Sequence, residues 1–232
     1  MADKGGIFKM FGGAVLGFAA AAVIFILIIA LAIAYFGFFP GLSDLMGTNK
    51  PRDLGVKYTN SDYNNALAKI PGFQLVDGDA WCLTCPYVSS GSVPVDTEIT
   101  QEEFTANLNH PAKDVFKDAQ VKFNADGTIE TSALLDVPQL QAPVYAKGRL
   151  DKVSSGSVTF KLESLEVGRL GVGGDQLVQA QDALNTVTQD FFAKNPGLSV
   201  DTLQVEDGKV KFKGTYPQQM QGIPGSVPAQ FQ

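Results

Sequence analysis

Residues 121–135 read Val-Lys-Phe-Asn-Ala-Asp-Gly-Thr-Ile-Glu-Thr-Ser-Ala-Leu-Leu. Val121 and Phe123 alternate with Lys122 and Asn124, Asp126-Gly127 is a turn dipeptide, and Ile129, Thr131, Ala133 and Leu135 alternate beyond it. A period of two on both sides of an Asp-Gly pair is the pattern of a β-hairpin with one apolar face. A strand that is apolar on one face needs cover on that face only, which points to an antiparallel sheet.

Moving toward the carboxyl end, Val144, Ala146, Gly148 and Leu150 suggest another strand, and Val158, Phe160 and Leu162 begin a long one. The apolar parity of the long strand then shifts to Leu165 and Val167. A one-residue slip turns every side chain to the wrong face, so the shift predicts a bulge near Glu163-Ser164. In residues 175–194, Leu177, Ala180, Leu184, Val187 and Phe191 recur at spacings of three and four, the stripe of an amphipathic helix. Asp175 is its expected cap, and Asn195-Pro196-Gly197 its stop. A second hairpin follows, with apolar positions at Leu203 and Val205, a turn at Asp207-Gly208, and Val210, Phe212 and Tyr216 returning. The Gln-, Pro- and Gly-rich residues 218–232 read as a loose tail.

Toward the amino end, Thr59-Asn-Ser-Asp62-Tyr63 with Leu67 and Thr100-Gln-Glu-Glu103-Phe104 with Leu108 repeat one pattern. Thr followed by an acid three residues later is a capping box. An aromatic and a leucine four apart share a helix face, so each segment is a short helix docking one apolar edge. The fold class is therefore α+β: a curved antiparallel sheet packed on the long 175–194 helix, preceded by one membrane helix.

That membrane helix occupies residues 12–39, which carry no charge. At about 1.5 Å per residue the stretch exceeds the ~30 Å hydrocarbon core. It reads as a retained anchor, with the small-residue triplet Ala32-Ile33-Ala34 keeping signal-peptide cleavage as the alternative. Lys4 and Lys9 precede it, so residues 1–11 are expected in the cytoplasm and the remainder outside, at the cell membrane as a single-pass protein. Residues 40–52 form a linker, and 53–217 the extracytoplasmic domain. Gly13 and Gly17 form a small-xxx-small pair that offers a seat to another membrane subunit.

The chain of 232 residues has 18 basic and 24 acidic side chains, a net charge of −6. Removing Asp3, Lys4 and Lys9 leaves 16 against 23, so the residues after the span carry −7. This balance excludes a basic nucleic-acid binder, and the ordered periodicities exclude a disordered chain.

Little of the sequence points to chemistry. Trp81-Cys82-Leu83-Thr84-Cys85-Pro86 is superficially a redox motif, but no βαβ pattern surrounds it. Cys82 and Cys85 are expected as a local disulfide, with free thiols as the alternative. Zinc needs about four N or S ligands, and beyond these two thiols the chain offers only His110, so no metal is expected. His110 sits at a helix end before Pro111, and no acid/base pair or nucleophile stands out. Gly168-Arg-Leu-Gly-Val-Gly-Gly174 lacks the Lys-Ser/Thr of a phosphate loop and reads as a strand-to-helix connection. No catalytic residue and no cofactor is assigned.

Asp53-Leu-Gly-Val-Lys-Tyr-Thr59, Thr100-Gln-Glu-Glu-Phe104, residues 121–130, Val144-Tyr-Ala-Lys-Gly148, Leu165-Glu-Val-Gly168 and Val205-Glu-Asp-Gly-Lys-Val-Lys-Phe-Lys-Gly214 together resemble a group of bacterial proteins with one anchor and an extracytoplasmic α+β domain. In its order of elements that domain is similar to tubular lipid-binding (TULIP-like) folds. The resemblance spans about residues 53–217 and implies a lipid or other apolar ligand held between helix and sheet. Candidate lining residues are Val121, Phe123, Phe160, Leu162, Leu177, Leu184, Val187, Phe191 and Phe212. The Cys82–Cys85 insert departs from the resemblance, and the domain is small for a deep tunnel. The expected function is a membrane-anchored, non-catalytic binding protein; the alternative is a structural or assembly subunit of a larger membrane or surface complex.

Overall fold

The computed structural model describes residues 48–76, 87–109, 116–137 and 140–222, together with Leu31 and Ser43. Among these no helix is long and apolar enough to cross a membrane. The expected span at residues 12–39, Gly13 and Gly17, Cys82 and Cys85, and His110 lie outside the described residues, Leu31 excepted.

The elements run α1 (Asn60–Ala68), β1 (Gln74–Val76), β2 (Tyr87–Ser90), β3 (Val93–Thr100), α2 (Gln101–Asn109), β4 (Phe116–Phe123), β5 (Ile129–Val137), β6 (Leu140–Ser154), β7 (Ser157–Val167), β8 (Leu170–Val172), α3 (Asp175–Lys194), β9 (Ser199–Glu206), β10 (Lys209–Tyr216) and β11 (Gln219–Gly222). The class is α+β, as the alternation implies. The strands do not form one sheet, however. β4-β5-β6-β7-β8 make a five-stranded antiparallel meander, β3-β10-β9 a second sheet, and β1-β11-β2 a third in which β1 and β11 are parallel.

Both predicted hairpins form. In the first, Thr128 donates from its N–H (2.9 Å) and its hydroxyl (2.6 Å) to Asp126, and Gly127 takes φ 79°. The predicted bulge is also present: Lys147 faces Ser164 and Gly148 faces Leu162, which leaves Glu163 as the extra residue. Val121, Phe123, Ile129 and Val210 form the buried cluster, with Leu108, Leu150 and Leu203 packed on it, so the meander and the second hairpin share one core.

The two capping boxes are present. Thr59 and Asp62 cap α1. At α2, Glu103 Oε2 accepts from the Thr100 N–H at 2.8 Å while the Glu103 N–H donates to Thr100 Oγ1 at 3.2 Å. The same carboxylate accepts from Lys69 Nζ at 2.6 Å, tying the end of α1 to the start of α2.

Several expectations are corrected. The docked face of α2 is mixed: Leu108 packs on the core cluster and Ala106 is buried, while Gln101, Thr105 and Asn109 bond the open edge of β4, and Phe104, 41% exposed, meets the Phe123 ring in a T-shaped contact. The long helix α3 is capped by Gly174, at φ 57°, with Asp175 as its first residue. It is not wrapped by a sheet. It has no buried residue and lies along the open edge of β7, where Asn185 Oδ1 accepts from the Phe160 N–H at 2.8 Å and Gln181 Oε1 from that of Leu162 at 3.2 Å. The residues after Gly168 include a short strand, β8. The start of the expected tail is ordered too: Gln219–Gly222 is the central strand of the third sheet, fixed by backbone pairing on both sides and by Met220, 2% exposed.

The two edge helices use one geometric match. Four residues of helix advance about 6.0 Å and two residues of strand about 6.6 Å. Side chains four apart on a helix therefore meet N–H groups two apart on an antiparallel strand. Gln101, Thr105 and Asn109 face Phe123, Val121 and Ala119, and Gln181 and Asn185 face Leu162 and Phe160. Covering an edge in this way removes a template for intermolecular pairing.

Candidate functional site

Residues 48–58, the end of the expected linker and the start of the domain, are sewn across the polar face of the meander. Register places Gln120, Ser132, Tyr145 and Glu166 in one cross-strand row. Gln120 Oε1 accepts from the N–H groups of Leu54 (2.9 Å) and Val56 (3.3 Å). Asp53 bonds the N–H of Gly55, whose φ of 76° bends the strap at that point. Val56 is buried beneath it.

At the other end of the row, the Arg52 guanidinium lies 3.7 Å from the centroid of the Tyr145 ring. Its Nη2 donates to both carboxylate oxygens of Glu166, at 3.0 and 2.8 Å. Each contact alone is modest at a half-exposed position, a stacked cation giving about 0.5–1 kcal/mol. Together they fix the plane of the guanidinium. Tyr145 in turn donates from its hydroxyl to Glu130 Oε2 at 2.8 Å. Burial and the Glu130 carboxylate both raise the Tyr145 pKa above its ordinary value. For Glu130, burial raises the pKa, but the donors Asn124 and Tyr145 outweigh it and hold the carboxyl below the ordinary range.

A cleft of about 440 Å³ opens beside this row, between the strap and the β7–β8 turn. Lys50 and Arg52 line it from the strap, Tyr145 and Glu166 from the sheet, and Arg169 from the turn. Gly168 adopts φ 65° there, and its N–H donates to the Pro143 carbonyl at 2.6 Å.

The nine residues expected to line an apolar pocket do not converge on this cleft, and none of them lines it. Val121 and Phe123 are in the closed core cluster. Phe160 and Leu162 are on β7 beside α3, where Leu177 and Phe191 are half-buried, Leu184 is 37% exposed and Val187 63%. Phe212 is on β10 opposite Leu203 and Thr97. Among the described residues, no group of three or more His, Cys, Asp or Glu side chains could hold a metal ion.

The cleft residues escaped the reading of the sequence, although two signals were present. Lys50 and Arg52 stand close together in an acidic chain, and Tyr145 is an aromatic on the polar parity of its strand. No family model, no curated protein and no solved structure matches the chain.

Proposed function

We infer that this chain is a membrane-anchored, extracytoplasmic, non-catalytic protein whose folded domain works at the bilayer surface by engaging lipid. The uncharged residues 12–39 supply the anchor, and the resemblance to tubular lipid-binding folds points toward lipid. One observation carries the reading: the strap. Because residues from Arg52 onward are fixed to the sheet, the tether between span and domain is reduced to residues 40–51. Twelve residues reach at most about 43 Å. The Thr48 N–H, which donates to the Ser43 carbonyl at 2.9 Å, shortens that reach. The strap end of the domain, with its cleft, is therefore held within that distance of the bilayer.

Two measurements test this. Carbonate-washed membranes should retain the full chain, and an externally added protease should digest the domain in intact cells stripped of their outer layers. Recovery of the chain in the soluble fraction, or protection of the domain until the membrane is lysed, would refute the reading. Native mass spectrometry of the membrane-extracted protein should show lipid adducts, and a bare monomer would count against lipid engagement.

A further inference from the structure

None of the 20 residues of α3 is buried, and none joins the core cluster. Around the helix axis, at about 100° per residue, the docking amides Gln181 and Asn185 point about 100° away from the centre of the apolar stripe that runs from Leu177 to Phe191. Seating the amides on β7 therefore leaves the stripe on the flank, with Leu184 and Val187 exposed. Among the described residues, two side-chain hydrogen bonds tie the body of the helix to the sheet: Asn185 Oδ1 accepts from the Phe160 N–H at 2.8 Å and Gln181 Oε1 from the Leu162 N–H at 3.2 Å. The two ends of α3 differ. Its carboxyl end is locked, because the Ser89 hydroxyl donates to the Lys194 carbonyl at 3.0 Å and buried Asn195 donates from Nδ2 to the Phe191 carbonyl at 2.6 Å. Its amino end has no side-chain cap and leaves β8 through Gly173 and Gly174, where an added Cβ would meet nothing within 4 Å. A segment with few buried apolar groups opens at lower free energy than the core, and adjacent glycines supply the backbone freedom to do so.

We propose that α3 is a releasable cover: its amino-terminal part, through Asn185, lifts from β7 by bending at Gly173-Gly174 while the core and the carboxyl end of the helix stay closed. Seated, the helix satisfies the N–H groups of Phe160 and Leu162 and closes that edge of the meander. Lifted, it bares both N–H groups at once, together with the side chains of Phe160 and Leu162, and turns a closed edge into an open one. The device belongs to the folded domain and holds whether or not the chain is anchored.

The test is hydrogen–deuterium exchange of the full chain in mild detergent, read residue by residue and corrected for intrinsic rates. Phe160 and Leu162 should exchange at one common rate, at least about tenfold faster than Thr159 and Lys161, whose N–H groups point the other way, toward β6. Gln181→Ala should speed exchange at Phe160, whose own acceptor it leaves in place, roughly fivefold. Gly173 has no left-handed φ and open space around it, so Gly173→Ala fits the seated form, stiffens the hinge, and should slow both amides roughly two- to fivefold. Gly156→Ala, in equally open space at the β6–β7 turn, should leave them unchanged. Unaltered rates at Val121 and Phe123 verify that each variant is folded. Phe160 and Leu162 exchanging as slowly as Lys161 would overturn the proposal. So would an unchanged Phe160 rate in both Gln181→Ala and Gly173→Ala, because the two amides would then be flipping singly while the helix stays seated.

Discussion

The side-chain amide of Asn109 and the backbone of Ala119 form a peptide-like pair: Nδ2 donates to the Ala119 carbonyl at 2.8 Å, and Oδ1 accepts from its N–H at 3.0 Å. An asparagine at the end of a helix thereby completes the ladder on the side of β4 that faces away from β5. Thr105 does the same for Val121 with one hydroxyl, accepting from the N–H at 3.0 Å and donating to the carbonyl at 3.3 Å.

Replacing Asn109 by Ala leaves both backbone groups of buried Ala119 without that partner. Orphaning a buried polar group costs about 1–3 kcal/mol. The expected outcome is a lower urea midpoint with an unchanged slope. A loss below about 0.5 kcal/mol would show that the pair is dispensable.

On the opposite edge, the double variant Gln181→Ala/Asn185→Ala strips the side-chain acceptors from the Leu162 and Phe160 N–H groups. The site is half-buried, so the direct cost is smaller, about 1–2 kcal/mol in total. The larger effect concerns association, because a bare β7 edge is free to pair with another molecule. Sedimentation velocity should show concentration-dependent oligomers in the variant and none added in the wild type.

These edge contacts also explain what could be read from residues alone. The hairpins and the Glu163 bulge were legible because a turn dipeptide and a parity count are local facts. The helices were legible as helices, yet the polar contacts by which α2 and α3 dock were not. Periodicity marks apolar positions, whereas Gln101, Thr105, Asn109, Gln181 and Asn185 dock through amides and hydroxyls. The third sheet was invisible: it joins Gln74 to Gln219, 145 residues apart, and its strands are short and polar. β3 was missed although Val93, Val95 and Ile99 alternate, because Pro94 argues against a strand interior. Arg52, Tyr145 and Glu166 come from three separate segments, and only the register of the meander brings them together.

Ser132 lies in the row beneath the strap, fully buried, and its hydroxyl has no hydrogen-bond partner among the described residues. Removing an unsatisfied buried hydroxyl removes a desolvation penalty. Ser132→Ala should be neutral or stabilising by up to about 1 kcal/mol in a thermal or urea melt. A clear destabilisation would mean that the hydroxyl has an ordered water as its partner.

Gly197, in the loop after α3, approaches the break between β2 and β3 so closely that a Cβ would overlap the Gly91 carbonyl oxygen. Backbone cannot yield as a side-chain tip can. Gly197→Ala should therefore cost about 1–3 kcal/mol, whereas Gly156→Ala, at a turn with open space around it, should change stability little.

Glu130 gives the acid response a sign. Its carboxyl has a folded pKa below the ordinary 4.5, burial being outweighed by hydrogen bonds from Asn124 and Tyr145. A carboxyl with a depressed folded pKa stabilises fully above its unfolded pKa and loses that contribution as pH falls through the folded value. Glu130→Gln should flatten the decline of the urea midpoint below about pH 4.5 relative to wild type. A parallel decline in both proteins would assign the acid sensitivity elsewhere.

The placement of β11 between β1 and β2 sets a schedule for biogenesis. Two of the three strands in that sheet are complete by Ser90, yet they have no direct contact through backbone pairing and depend on Gln219–Gly222 to join them. The meander can close as soon as β8 is made, but this sheet must wait until residue 222 has been synthesised. A stalled or prematurely terminated chain would thus present a folded meander beside two unpaired strands, a form that quality-control proteases and chaperones can tell from the finished protein.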